Sequence, residues 1–177
     1  MRDSSLRIAI VGAGVAGLTL AAALQAHGHT VTLFDEGRSP GGRCASLKTL
    51  AGAFDPGCAQ LSGASEAFRA QLARWCERGW LQATDDGRFL PQPTMGALMQ
   101  HLAEGLEVQL DCFVAAVSPT AAGWQLRLAD GREPAPFEAV LLALPPRQAL
   151  QLLEADRALA DQLRQASSRP VWTVCAA

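Results

Sequence analysis

Arg7-Ile8-Ala9-Ile10-Val11-Gly12-Ala13-Gly14-Val15-Ala16-Gly17 decides the fold of this chain. An apolar run enters G-x-G-x-x-G, and a stretch rich in Ala and Leu follows. Leu6 to Val11, apolar apart from Arg7, has the continuous character of a central parallel strand. Val15 to Ala26 reads as a helix that Gly28 stops. Thr30 to Phe34 is β-branched and aromatic and reads as a second strand. Strand, helix and strand in so short a span form a βαβ unit with a right-handed crossover.

The spacing assigns each glycine a task. Gly12 permits a tight turn, Gly14 lets the backbone approach a pyrophosphate, and Gly17 lets helix and strand pack closely. Residues Gly12, Ala13, Gly14, Val15, Ala16 and Gly17 thus form a candidate phosphate site. There the helix N-terminus presents free N–H groups and a partial positive charge. G-x-G-x-x-G alone is a weak pattern. It gains force from an acid about 20 residues on, and Asp35 follows Gly17 by 18 residues. Asp35 is placed to accept hydrogen bonds from ribose hydroxyls, and its charge disfavours a 2′-phosphate. Glu36 is expected to point the other way, toward solvent, at the margin of the site. A βαβ unit whose glycines serve packing alone is the plainer alternative.

Bulk properties narrow the function. The chain has 177 residues, is 49% apolar and 18% charged, and carries a net charge of −2. It can bury a core, and its charge gives no reason to expect nucleic acid or an anionic membrane as a partner. No apolar leader precedes the first strand, and no run approaches the roughly 18 apolar residues of a membrane span. A cytoplasmic location is expected. Cys44, Cys58, Cys76, Cys112 and Cys175 are odd in number and lack C-x-x-C spacing, so reduced structural thiols are expected. His27, His29 and His101 form no ligand pattern with them, and no metal is expected.

Further along, residues 65–78 show helical spacing at Phe68, Leu72, Trp75 and Cys76. Thr94 is placed to cap a helix over 96–104. Residues 107–110, 113–117, 124–128 and 137–144 read as strands, and 147–164 as helical with a break near Asp156. Val171 to Val174 reads as the start of another strand. The expected class is α/β. Its doubly wound sheet comprises 6–11, 30–35, 107–110 and 137–144, with a small antiparallel meander over 113–128.

Arg38-x-x-Gly41-Gly42-Arg43 discriminates between dinucleotides. Two glycines allow close approach to a cofactor, and a guanidinium can neutralise pyrophosphate. Here the sequence resembles the FAD-dependent amine oxidase superfamily, whose glycine doublet follows strand two. Within it, the sequence is most similar to renalase-like flavoproteins. Supporting segments are V-T-L-F-D-E-G-R-S-P-G-G-R-C-A-S, F-D-P-G, P-x-x-M-x-x-L at Pro91 to Leu98 continuing into H-L-A-E-G-L-E-V, and F-E-A-V-L-L-A-L-P-P-R-Q-A-L-Q-L-L.

The resemblance implies FAD rather than NAD, in a Rossmann-like domain of the amine-oxidase (GR2) type with part of an inserted substrate domain. It implies that Gly41, Gly42 and Arg43 line the pyrophosphate and ribityl region, with Arg38 near the adenosine. Val114 would contact adenine through its backbone, Ala143 and Leu144 would end a strand beside the cofactor, and Gly57 would approach the isoalloxazine. Val114 and Leu144 read equally well as core residues. Cys58 reads as a small apolar filler rather than a redox group. The FAD-binding domain is expected over 1–60 and 91–150, and the partial substrate domain over 61–90 and 151–177.

Two departures stand out. Renalase-like proteins read D-x-G-A-Q followed by an aromatic, where this chain has Asp55-Pro56-Gly57-Cys58-Ala59-Gln60-Leu61. The family's C-terminal Gly-Asp motif is absent, and a strand opening at Val171 points to truncation. The chain therefore reads as the N-terminal portion of an FAD-dependent oxidoreductase. Such an enzyme takes hydride from a small molecule, an amine or a dihydronicotinamide, with oxygen as acceptor. No acid–base residue emerges, since a flavin carries the redox chemistry itself. Two alternatives remain open: an NAD-binding dehydrogenase domain, and a fragment without a complete flavin site. A surface exposed by a missing half could drive self-association.

Overall fold

The computed structural model describes residues 5–153 and 156–176. Strand β1 (Arg7–Val11) leads into α1 (Val15–Ala26) and β2 (Thr30–Phe34). A 3-10 turn covers Gly42–Cys44, and the hairpin β3 (Leu47–Thr49) and β4 (Gly52–Phe54) follows. Then come α2 (Glu66–Glu77), the hairpin β5 (Leu81–Ala83) and β6 (Phe89–Pro91), α3 (Met95–Ala103) and β7 (Glu107–Gln109). The last elements are β8 (Val114–Thr120), β9 (Gly123–Leu128), β10 (Ala139–Leu142), α4 (Pro146–Gln151) and α5 (Arg157–Arg164).

One parallel sheet has the order β10-β1-β2-β7. The chain steps outward from β1 through β2 to β7, then returns to place β10 on the other side of β1. Winding reverses there, and in open parallel sheets ligands bind outside the carboxyl ends of the strands at such a reversal. Val11 stands opposite both Phe34 and Leu142, so the three strands end level.

Alternation along the strands divides the core between two faces. Ile8, Ile10, Val31 and Leu33 pack with Leu18 of α1, Leu72 and Trp75 of α2, and Leu98 and Met99 of α3. Ala9, Val11 and Phe34 pack on the opposite face with Leu126 and Leu128 of β9, Phe137 and Leu152. Phe137 meets Phe34 edge-on with ring centroids 5.9 Å apart. The architecture is α/β, with helices on one face of a parallel sheet and an antiparallel hairpin on the other.

Helix starts follow their caps. Ser65 accepts a hydrogen bond from the Phe68 amide, Thr94 from Ala97 and Asp156 from Leu159. The helical stretch expected over 147–164 is accordingly two helices. The strand expected over 137–144 is shorter. Phe137 instead bridges Trp124 beside the β8–β9 hairpin before the chain enters β10. The strand expected from Val171 does not form. Residues 171–176 are irregular and exposed, because β-branched residues supply propensity but a strand also needs a paired neighbour. Among the described residues no helix is long and apolar enough to cross a membrane.

Residues 61–90, expected in a partial substrate domain, contribute Leu72, Trp75 and Leu81 to the same cluster as Ile8 and Ile10. Trp80 also stacks on His101 of α3, 4.7 Å between centroids and 3° from parallel. Trp75 is 1% exposed. Trp75→Ala is expected to lower the unfolding free energy by about 3–5 kcal/mol, the usual cost of emptying so large a buried volume. In urea titration the loss is expected within one transition shared by the whole chain. Two separate transitions would show that 61–90 folds apart from the sheet.

Candidate functional site

A cavity of about 930 Å³ opens at the carboxyl ends of β1, β2 and β10. The β1–α1 turn lends it Gly12, Gly14, Val15 and Ala16, and the end of β2 lends Asp35, Glu36 and Arg38. Gly41, Gly42 and Arg43 form the wall beside them. Gly57, Val114, Ala143 and Leu144 come from later in the chain. Ala13 and Gly17 are the two candidate residues that do not reach the cavity; both are buried behind its wall.

The glycines of the turn have different constraints. Gly12 has φ +106°, and an added Cβ would stand 2.6 Å from the Ala143 carbonyl oxygen. A Cβ on Gly17 would overlap the Gly12 carbonyl oxygen, so α1 starts directly on the turn. Gly14 is otherwise: a Cβ there would meet only the Gly41 oxygen, at 3.7 Å. The protein itself leaves room for a side chain at Gly14.

The second glycine loop is laced to the first. The Gly41 amide donates to the Ala13 carbonyl at 2.8 Å, and Gly14 and Gly41 form a parallel bridge. Gly41 has φ +128°, with Met99 Cγ 2.8 Å from where a Cβ would stand. Gly42 abuts Gly14. Helix α1 begins at this seam with no side-chain cap, since its N-cap is Gly14. Its first helical bond runs from the Leu18 amide to the Gly14 carbonyl at 2.9 Å. The amides before Leu18 therefore have no partner within the helix, and those of Val15 and Ala16 lie at the cavity.

Asp35 braces the turn. Its Oδ2 accepts from the Ala13 amide at 2.6 Å, and its Oδ1 from the Gly37 amide at 2.8 Å. The Ala13 amide is thus turned to Asp35, while its side chain packs in the core with Ile10 and Leu18. Glu36 is exposed, yet it lines the cavity and accepts from Gln148 Nε2 at 3.2 Å. Strand alternation cannot set its direction, because β2 ends at Phe34. Sequence reasoning passed over Phe113, Cys112, Gln148 and Gln151, which also line the cavity. Phe113 is a half-exposed aromatic immediately before β8. A large apolar side chain outside a strand's alternation was the signal available for it.

The other end of the cavity rests on the Asp55 segment. A Cβ on Gly57 would overlap the Arg43 carbonyl oxygen, so this segment lies hard against the turn after Gly42. Asp55 Oδ2 accepts from the Met95 amide at 2.9 Å, and Ser46 Oγ accepts from the Gly96 amide at 2.7 Å. The Ser46 hydroxyl in turn donates to Asp55 Oδ1. With Thr94, these side chains cap the start of α3, where a carboxylate also meets the positive end of the helix dipole. Asp55→Ala would leave the Met95 amide and the Ser46 hydroxyl without this acceptor. It is expected to destabilise the chain by about 1–3 kcal/mol in urea. Asp55→Asn, which keeps one acceptor, is expected to cost less. Equal losses would show that the carboxylate does not act through these bonds.

Comparisons with known proteins bear on the family of the chain. A family profile described as NAD(P)-binding Rossmann-like domain matches residues 10–74. A second, described as flavin containing amine oxidoreductase, matches residues 54–176. The 4,4'-diapophytoene desaturase (4,4'-diaponeurosporene-forming) of Staphylococcus haemolyticus (strain JCSC1435) is 48% identical over 52 residues, 29% of this chain and 10% of that protein. The enzyme of the same description from Staphylococcus aureus (strain Newman) is 44% identical over a stretch of the same length and coverage.

Among solved structures, a candidate protoporphyrinogen oxidase from Exiguobacterium sp. 255-15 superposes with a TM-score of 0.71 at 15% identity, over 92% of this chain and 64% of that one. A CLA-producing fatty acid isomerase from P. acnes superposes with a TM-score of 0.69 at 13% identity, over 90% and 64%. At these identities the likeness is one of fold. The chain spans a tenth of the curated relatives it matches and under two thirds of these solved chains. The flavin profile, however, runs from Phe54 to Ala176, well over half of the chain, and the chain belongs to the family of flavin containing amine oxidoreductases.

Proposed function

We propose that this chain is the cofactor-binding portion of an FAD-dependent oxidoreductase that takes a hydride from a reduced small molecule and passes the electrons to oxygen. FAD is the cofactor that the family implies, and the residues present fit it. One observation carries the reading. Gly14 and Gly42 stand together in the cavity wall, and at Gly14, whose φ is −74°, the protein leaves space for a Cβ. Glycine at Gly14 therefore serves whatever the cavity holds rather than the packing of the chain. The uncapped start of α1 beside it suits a pyrophosphate.

The remaining roles follow along the cavity. Asp35 spends one lone pair per oxygen on backbone amides, and a carboxylate oxygen has a second with which to accept a ribose hydroxyl. Arg38 lies toward the adenosine, and Arg43 toward the pyrophosphate and ribityl chain. Val114 offers its backbone to adenine, while Ala143 and Leu144 lie along the cofactor. Gly57, without a side chain, admits the isoalloxazine end. Bound there, FAD supplies two-electron redox chemistry, while the protein orients it and excludes competing reactions. The renalase-like segments favour a dihydronicotinamide donor over an amine. An NAD-binding domain gives no reason for a guanidinium, Arg43, beside this second glycine loop in the cavity wall.

The visible absorption spectrum of the purified chain, alone and after reconstitution with FAD, tests the reading. A bound-flavin spectrum is expected. A colourless protein that binds NAD and cannot take up FAD would overturn it. Gly14→Ala separates ligand from packing: FAD affinity is expected to fall at least about tenfold, roughly 1.4 kcal/mol. The stability of the ligand-free chain is expected to change by about 1 kcal/mol or less. Gly17→Ala, which forces the turn apart, is expected to destabilise the ligand-free chain by about 1–3 kcal/mol.

A further inference from the structure

Cys44 and Cys58 are free thiols that line the same cavity. Neither is among the residues proposed to hold the cofactor. Their meeting is dictated by the backbone. Gly57 lies so close to Arg43 that a Cβ on it would stand 3.6 Å from the Arg43 Cα. One residue further along each segment, Cys44 and Cys58 line the same wall of the cavity, Cys44 within the buried cluster behind it and Cys58 packed against that cluster. The Cys58 thiol also reaches the Gln60 carbonyl at 3.2 Å. Cys44 is buried and Cys58 half-buried, so a small molecule in the cavity meets Cys58 first.

The sequence alone gives no reason to pair them. Fourteen positions separate the two cysteines, and Cys58 reads there as an apolar filler. The structure turns two isolated residues into a dithiol at the cavity wall. Cys112, which also lines the cavity, has a different neighbour, since Arg132 Nη2 donates to its sulfur at 3.3 Å.

We propose that Cys44 and Cys58 form a peroxide-reactive dithiol that closes to a disulfide in the cavity wall. The oxidant is hydrogen peroxide. The Cys58 thiolate attacks one peroxide oxygen and the O–O bond breaks. Cys58 becomes a sulfenic acid, and the departing hydroxide takes up the thiol proton as water. The Cys44 sulfur then attacks the Cys58 sulfur. An S–S bond forms, the S–O bond breaks, and hydroxide leaves with the Cys44 proton as a second water. In sum, two thiols and one peroxide give one disulfide and two waters, with two electrons passing from sulfur to oxygen. Burial, then the nearby Cys58, pushes the Cys44 thiol up to about 11. Closure of the link calls on the Cys44 thiolate and therefore accelerates as pH rises toward that value. The reaction uses only the chain's own thiols and added peroxide, so it stands whether or not the cavity's occupant is a flavin.

The test uses the purified protein as isolated. It is exposed to a small excess of hydrogen peroxide, its remaining thiols are alkylated, and it is digested with trypsin. Cleavage after Arg43, Lys48 and Arg69 places the two cysteines in separate peptides, 44–48 and 49–69. The expected result is a mass for these peptides joined by a disulfide, lost on treatment with dithiothreitol. Cys44→Ser is expected to stop Cys58 at the sulfenic acid, which dimedone traps, and Cys58→Ser to abolish the link. Exposed Cys175 reports that oxidation has occurred. Recovery of 44–48 and 49–69 as separate alkylated peptides from protein whose Cys175 is oxidised would overturn the proposal. So would conversion of Cys58 to sulfinic acid without any link to Cys44.

Discussion

The contact between Gly17 and the Gly12 carbonyl is the constraint on which the rest of the site depends. A helix can start directly over the end of a strand only where neither carries a side chain at the point of contact. Meeting that condition sets α1 on the turn after β1, with its first amides at the cavity. The level ends of β1, β2 and β10 then bring the loop after β2 and the Ala143–Leu144 segment to the same edge. From there the cavity follows as the crevice at the point where the winding reverses.

Asp35 shows how one residue can serve the fold and the site together. Its carboxylate holds the Ala13 amide and the Gly37 amide, so the first glycine loop and the end of β2 move as one piece. Those bonds orient the same oxygens toward the cavity. A side chain anchored by two backbone donors loses little further freedom when a ligand hydroxyl arrives, which favours binding.

Much of this was legible in the sequence because it is written in local patterns. The βαβ unit follows from a G-x-G-x-x-G between an apolar strand and an Ala-rich helix, and Thr94 caps α3 as its sequence position suggests. The parallel strands could be named, though their bounds shifted by a residue or two. What the sequence could not give is contact across long separations. Nothing near Asp55 announces that its carboxylate caps a helix forty residues on, or that Ser46 joins it. Hairpin β3–β4 was missed because its residues are mostly exposed and carry no alternation. Val171 to Val174 failed the opposite way, having strand propensity with no paired strand among the described residues.

The two ends of the cavity are built on different physics. Around Gly12, Gly14 and Gly41 the walls are backbone held to backbone, so their shape is fixed by the chain itself. Around Gly57 the wall depends on side chains: Asp55 and Ser46 tie it to α3, and the absence of a Cβ at Gly57 lets it press on Arg43. The same pressure that demands glycine at 57 brings Cys58 to the cavity wall that Cys44 lines. A close approach needed to shape the cavity thereby creates a pair of thiols that neither cysteine's sequence context would announce. Because burial pushes the Cys44 thiol up while Cys58 is more exposed, the pair is asymmetric. One thiol meets the oxidant, and the other is kept in reserve behind it.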